Sequence, residues 1–303
     1  QGSSNTNISL MRFSSNSQGG FVDIPLSKVE EVTTTFEDTI NTYYASGSTP
    51  LEESLYEAYL YLTGNTVKYG VNSTSAIKDS NGNGGGGANN ISTPSVASSR
   101  DSSNSSKYKL ASALECTPTK IILFSDGEPQ NDTDSNSIIK ELVKTITLNT
   151  TLKGMSYTCK GDGQCAEELA YYMNNTDHRK DIDGSQNISV DTFGGYLDKE
   201  AARTALQNIA KAGGGNFYEG DDYTSIRKGL TDALTTTFTD PSTFTSPTVA
   251  VNSFNSLESS DQLYYSVFEP NEKPSWNGNL KRYKIGSNHT ILDQKGKAAV
   301  DDE

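Results

Sequence analysis

Two residues in this sequence have the type and placement needed to bind a divalent cation, Thr49 and Asp126. Asp126 closely follows the apolar run Ile121–Phe124, which predicts a short strand in the middle of a parallel sheet, buried on both faces. Thr49 lies in a loop just before a helix that we expect to begin near Leu51. Ligands of open parallel sheets bind beyond the carboxyl ends of the strands. Hydroxyl and carboxylate oxygens are the hard donors that Mg²⁺ prefers, so the two loops together predict a metal site.

Each of these residues also has a simpler interpretation when it is taken alone. Residues 49–52, Thr-Pro-Leu-Glu, match a capping box with proline at the first helical position, so Thr49 could serve to cap the helix. Asp126 precedes Gly127, and aspartate is common in turns of this kind. The metal hypothesis therefore depends on both residues reaching the same edge of one sheet.

Signatures of enzyme chemistry are sparse. The glycine runs lack the Gly-Lys-Ser/Thr of a phosphate-binding loop, and no Gly-x-Ser-x-Gly elbow occurs. The two histidines, His178 and His289, are too few for a His-rich zinc site, and neither is near a candidate nucleophile in the sequence. Glu128 could act as a general base, but the sequence offers it no partner. We therefore expect a protein that is not an enzyme.

The three cysteines are Cys116, Cys159 and Cys165. Cys159 and Cys165 flank a short loop whose glycines allow its ends to meet, so this pair would form a disulfide in an oxidising compartment. Cys116 would then be a buried thiol or pair outside this chain. The alternative is three free thiols in a cytosolic protein, but the Ser/Thr/Asn-rich composition favours secretion.

Apolar spacing predicts strands that alternate with helices, which indicates an α/β domain with a mainly parallel sheet flanked by helices. We assign this domain to residues 1–240 and expect the Ser/Asn/Gly-rich residues 70–106 to be a mobile low-complexity loop. Residues 241–303 predict a linker and the start of a β-rich domain. Both ends of the sequence are abrupt, and we interpret it as a piece of a longer protein in preference to a complete domain with frayed termini.

Composition and charge exclude several classes of partner. The chain has 303 residues and a formal charge of -13, from 38 acidic against 25 basic residues. This balance argues against binding to nucleic acid or to anionic lipid, since both need clustered Lys and Arg. No apolar run approaches the ~20 residues of a membrane span.

Two motifs and a C-terminal signature resemble a known family. Residues 47–51, Gly-Ser-Thr-Pro-Leu, and residues 124–129, Phe-Ser-Asp-Gly-Glu-Pro, are similar to the second and third motifs of a von Willebrand factor A domain. Cys116 before the second of these motifs and residues 276–280, Trp-Asn-Gly-Asn-Leu, narrow the resemblance to PilC/PilY-type adhesins of the type IV pilus tip. In that family a C-terminal β-propeller follows.

The resemblance implies a metal-ion-dependent adhesion site for Mg²⁺, Mn²⁺ or Ca²⁺, with Thr49 and Asp126 as ligands. The family's first motif, Asp-x-Ser-x-Ser at the end of the first strand, would precede Gln1, so we expect weak metal binding by this segment alone. Residues 101–105 fit that pattern literally. We reject this match because no hydrophobic strand leads into it.

The function implied by the resemblance is cell-surface adhesion and type IV pilus assembly. The expected partners are minor pilins at the pilus tip and a host or surface receptor, and the expected location is extracellular. One alternative is a metal-free structural assembly module of the pilus tip. The other is an A-domain subunit of a cytosolic enzyme complex, for example a partner of a chelatase.

Overall fold

The structure is a computed structural model. The chain forms two compact units, Gln1–Leu234 and Thr235–Glu303. The predicted boundary at residue 240 lies outside the residues that the structure describes. Those residues are 6–78, 90–110, 119–144, 161–181, 185–238, 244–251, 259–269, 277–285 and 291–292.

Helices and strands alternate along most of the first unit. The α-helices that begin in this unit are α1 (Val29–Asn41), α2 (Leu51–Leu62), α3 (Asn136–Val143), α4 (Ala166–Asn175), α5 (Glu200–Ala212) and α6 (Tyr223–Phe238). The strands of this unit are β1 (Asn7–Phe13), β2 (Gly20–Lys28), β3 (Thr74–Ala76), β4 (Asn90–Ser92), β5 (Thr119–Ser125), β6 (Ile188–Gly195) and β7 (Gly214–Gly220).

Strands β5, β6 and β7 form a parallel sheet in that order. Ile121 of β5 faces Val190 of β6, and Phe193 of β6 faces Tyr218 of β7. Helices α4 and α5 contact β6, and the side chains of Val190, Leu206 and Ile209 are fully or almost fully buried between these elements. The predictions of a mixed α/β domain, of a parallel sheet and of flanking helices are confirmed.

The position of β5 differs from the prediction. Its apolar run predicts the middle of a sheet, but β5 lies at an edge of the three-stranded sheet. Leu123 is buried, whereas the side chain of Phe124 is 44% exposed although its ring stacks on that of Phe193 at 5.0 Å. Strands β1 and β2 form a separate antiparallel pair, so the first unit has no single continuous sheet among its described residues.

Helix α2 lies at the centre of the first unit and is buried from Leu51 to Tyr61. It contacts β1, β2, β5 and α4. Its apolar face behaves as predicted, with Leu51 and Leu55 fully or almost fully buried. The opposite face is buried as well, and it carries carboxylates beside the apolar side chain of Leu60.

The low-complexity segment differs from the expected mobile loop at residues 70–78 and 90–106. These stretches contribute the short antiparallel pair β3–β4. In the second stretch, the buried hydroxyl of Ser95 accepts the backbone N–H of Val22 at 3.0 Å and lies 2.8 Å from the hydroxyl of Tyr108. Serine hydroxyls that bond to the core backbone help to order this segment, together with the packing of Val96 against the core. Composition does not reveal such contacts.

The second unit contains an antiparallel sheet in the order β11-β10-β9-β8. Its strands are β8 (Phe244–Val251), β9 (Ser259–Glu269), β10 (Asn277–Ile285) and β11 (Ile291–Leu292). Across the described parts of both units, no helix has the length and apolar character needed to cross a bilayer.

Candidate functional site

The loops that carry Thr49 and Asp126 adjoin each other. Asp126 is exposed in the turn after β5, and Thr49 is partly buried in the loop before α2. The backbone N–H of Gln130 donates to the carbonyl oxygen of Thr49 at 3.0 Å. The side-chain amide of Asn131 donates to the hydroxyl of Ser48 at 2.6 Å. The two predicted ligands therefore lie on neighbouring loops at the carboxyl end of β5, and their binding of a metal stays a prediction.

A third loop, the β1–β2 turn at residues 14–19, lies beside the loop that carries Thr49. The backbone N–H of Ser48 donates to the hydroxyl of Ser17 at 3.1 Å. Gly47 has a φ of +99°, and a Cβ there would lie 3.0 Å from the backbone of Ser15, so glycine is required at this position. We call residues 14–19, 47–50 and 126–132 the rim.

The predicted capping box at Thr49 is wrong. The residue before the first turn of α2 is Pro50, and no side-chain capping bond comes from it. The carboxylate of Asp132 instead accepts the backbone N–H groups of Glu52 at 2.7 Å and Glu53 at 3.0 Å. Burial raises the pKa of Asp132 to about 7. Asp132 caps the helix from 80 residues away in sequence, and a local capping motif cannot reveal such a contact.

Glu52 anchors two further loops to the start of α2. Its carboxylate accepts the hydroxyl of Ser135 at 2.6 Å and the backbone N–H of Cys165 at 2.7 Å. Burial raises the pKa of Glu52 to about 8, and the nearby carboxylates of Asp132 and Glu168 act in the same direction.

Cys165 is disulfide-bonded. Cys116 and Cys159 lie outside the described residues, so the predicted pairing of Cys165 with Cys159 stays a prediction.

Glu53 and Glu57 continue the same pattern along α2. Glu53 accepts the backbone N–H groups of Gly19 at 2.8 Å and Asp134 at 3.0 Å.

Glu57 accepts the backbone N–H groups of Tyr69 at 2.9 Å and Gly70 at 3.1 Å, and the hydroxyl of Tyr108 at 2.6 Å. We call Glu52, Glu53, Glu57 and Asp132 the buried carboxylates. They hold the rim loops and neighbouring segments against α2, and the helical spacing of the sequence gave no signal for this role.

The oxygen donors of the rim belong to the chemical class that binds hard cations. The Thr49 hydroxyl and the Asp126 carboxylate are two such donors, whereas Mg²⁺ takes about six oxygens. The carboxylates of Glu52, Glu53 and Asp132 already accept protein N–H or O–H groups. Within the described residues, no group of three or more His, Cys, Asp or Glu side chains is placed to hold a metal ion.

Two other sequence candidates have local partners. Glu128 forms an ion pair with Lys199 at 2.7 Å. Asp101 accepts both the backbone N–H of Ser103 at 2.7 Å and its hydroxyl at 2.6 Å, so one of its carboxylate oxygens stabilises its own turn.

Comparison with known proteins adds no relative, because no family model, no curated protein and no solved structure matches this chain.

Proposed function

We propose that this chain is the von Willebrand A-like part of a PilC/PilY-type adhesin at the tip of a type IV pilus. The observation that carries the proposal is the hydrogen bond between Gln130 and Thr49, which brings the threonine motif next to the loop of the aspartate motif. The parallel sheet that positions Asp126 supports it. The antiparallel strands of the second unit are then the entry to the family's β-propeller.

The rim would hold Mg²⁺, Mn²⁺ or Ca²⁺ through the Thr49 hydroxyl and the Asp126 carboxylate. Such a cation would supply a positive centre for an acidic oxygen of a surface receptor. The remaining oxygens would come from an Asp-x-Ser-x-Ser motif upstream. Asp126 is exposed and thus accessible to a macromolecular partner.

A second candidate function is a metal-free assembly module that contacts minor pilins at the pilus tip. The engagement of the buried carboxylates by protein donors favours it, since these side chains then serve structure and not ion binding.

A cytosolic enzyme subunit ranks below both candidates. The disulfide at Cys165 is typical of an oxidising compartment.

The test is adhesion by bacteria that carry the full-length protein with Asp126→Ala, measured in Mg²⁺ and in chelator. We expect adhesion in Mg²⁺ to fall to the level seen in chelator, while the number of pili per cell stays unchanged. The matched control is Asp101→Ala, which removes the aspartate of the literal but rejected Asp-x-Ser-x-Ser match. It should adhere like the parent strain.

Equal adhesion by the Asp126→Ala and parent strains would refute the metal-dependent function. If both strains also assemble pili normally and deletion of the protein abolishes the pili, the assembly module becomes the better account.

A further inference from the structure

Two tyrosines at one end of the parallel sheet are exposed. Tyr196 follows β6 and is 62% exposed, and Tyr223 begins α6 after β7 and is 75% exposed. Every other tyrosine whose side chain the structure describes is buried or half-buried. Neither of the two rings has a hydrogen-bond or aromatic partner among the described residues. Tyrosine is enriched where proteins contact each other, so the pair indicates a contact surface.

The loops that carry the two tyrosines adjoin each other. The backbone N–H of Tyr196 donates to the carbonyl oxygen of Gly220 at 2.9 Å, so the chain after β6 lies against the chain that leads into α6. We call residues 196–199 and 220–223 the aromatic surface. It lies at the carboxyl ends of β6 and β7, and loops at these ends are where open parallel sheets bind their ligands.

The backbone that carries Tyr196 is fixed. Tyr196 has a φ of +54°, which is uncommon for a bulky side chain. The next residue, Leu197, packs against the core, and the guanidinium of Arg203 donates to its carbonyl oxygen at 3.4 Å. An exposed ring on a fixed backbone loses little conformational freedom when a partner binds.

The two basic side chains that closely follow Tyr196 are already paired. Lys199 forms an ion pair with Glu128 of the rim at 2.7 Å. Arg203 pairs with Glu200 and with Glu219, at 2.6 Å in each case. These bases therefore do not neutralise the other carboxylates of the aromatic surface.

Those other carboxylates are Asp198, Asp221 and Asp222. All three are exposed, and none has an ion pair within the described part of the chain. Asp222 also accepts the backbone N–H of Ser225 at 2.7 Å in the first turn of α6. Arg227 follows one turn further along α6, so the acids outnumber it three to one. The exposed rings thus lie among negative charges.

We propose that the aromatic surface binds a positively charged segment of a partner protein, with an arginine guanidinium stacked on Tyr196 and paired with the neighbouring carboxylates. The guanidinium is planar and weakly hydrated, and it can stack on an aromatic face while it donates to carboxylates. A second copy of this chain fits less well, because both copies carry a charge of -13.

The aromatic surface needs no cation at the rim, so this binding goes beyond the proposed function. Arginine binding should persist in chelator, where metal-dependent adhesion is lost. Failure of either one leaves the other standing.

The experiment follows the amide signals of the 1–303 chain by NMR in chelator. The probe is a capped peptide, Gly-Ser-Arg-Gly-Ser-Arg-Gly, and the control peptide has citrulline, which is uncharged and of similar shape, in place of arginine. Tyr196→Asn removes the ring, and asparagine tolerates a positive φ, so the loop should keep its backbone. Asp198→Asn/Asp221→Asn is compared with Glu30→Gln/Glu31→Gln on α1, which removes the same charge elsewhere.

We expect shifts confined to residues 194–199 and 219–225, and none with the citrulline peptide. Binding should weaken about threefold or more in Tyr196→Asn and in the double aspartate variant, and stay unchanged in the α1 variant. Equal binding by Tyr196→Asn and the parent, or largest shifts in α1, would overturn the inference. If β6 and β7 signals show that Tyr196→Asn is misfolded, Tyr223→Ala is judged by the same criterion.

Two further outcomes would overturn the inference by identifying another occupant. Maltotriose might shift the signals of the aromatic surface where the arginine peptide does not, and the surface would then bind carbohydrate. The same signals could instead shift when the concentration of the protein alone is raised, and the occupant would then be a second copy.

Discussion

The carboxylate of Asp132 accepts the backbone N–H of Glu52 at 2.7 Å, and this contact fixes the loop after β5 to the first turn of α2. A second amide, that of Glu53, reaches the other oxygen of the same carboxylate at 3.0 Å. Because α2 is the buried centre of the first unit, its start determines where the rim loops lie.

Asp132→Asn should destabilise the first unit. Asparagine offers one acceptor oxygen in place of two, so one buried amide of α2 would face an NH₂ group. A buried donor left without an acceptor costs about 1–3 kcal/mol of unfolding free energy. Urea unfolding monitored by circular dichroism measures this loss.

Asp134→Asn is the matched control. Its side chain is 60% exposed in an ion pair with Lys68, and exposed pairs contribute about 0–1 kcal/mol. An equal loss of stability in the two variants would contradict the capping role of Asp132.

Stability should fall as the pH rises from about 5 to 8. Burial raises the pKa of Glu52 from 4.5 to about 8 and that of Asp132 from 3.8 to about 7. Between the unfolded and the folded pKa, the folded state binds more protons, so each unit of pH lowers the free energy of unfolding. Thermal unfolding at a series of pH values should give a lower Tm at pH 8.5 than at pH 6.

Glu52→Gln separates this effect from the general repulsion of a chain with a charge of -13, which has the same sign. The Tm of the variant should depend less steeply on pH than that of the parent. Parallel pH curves for the two proteins would show that Glu52 does not titrate in this range.

Tyr108→Phe should loosen the low-complexity segment. The change removes the hydroxyl that donates to Glu57 at 2.6 Å and lies 2.8 Å from the hydroxyl of Ser95. Hydrogen bonds to charged groups contribute about 1.5–3 kcal/mol, so we expect a loss of that order in urea unfolding. Tyr196→Phe, at a residue that is 62% exposed, should have little effect, and similar losses in both variants would argue against this anchor.

We expect Cys165 to form its disulfide with Cys159. Cys159→Ser should then release a free thiol at Cys165 and lower the stability by about 2 kcal/mol, the value expected for a short closed loop. Cys116→Ser should leave the disulfide intact. Peptide mapping of alkylated, non-reduced protein distinguishes the two pairings, and a Cys116–Cys165 peptide would contradict the prediction.

The sequence predicted the parts of this fold that depend on local periodicity. The apolar run at Ile121–Phe124 marked β5, and the spacing of Leu51 and Leu55 marked the buried face of α2. The same patterns placed Thr49 and Asp126 in loops at one edge of the sheet.

What the sequence could not predict depends on contacts between distant residues. A glutamate in a helix is normally taken to face solvent, yet Glu52 and Glu57 are fully buried because backbone amides of remote loops reach them. Asp132, and not Thr49, caps α2, because a carboxylate that is distant in sequence accepts the first amides of the helix. The Ser-rich segment around Ser95 packs through hydroxyl hydrogen bonds, and hydropathy does not register these.

The most direct test of the cation site is Mn²⁺-induced broadening of amide signals in the NMR spectrum of the 1–303 chain. The account predicts that signals from residues 47–50 and 126–130 broaden first, and that Asp126→Ala removes this effect. The acidic residues of α1, Glu30, Glu31 and Glu37, serve as an internal control for non-specific binding. Broadening that begins at α1, or that is unchanged in the variant, would contradict a cation site at Thr49 and Asp126.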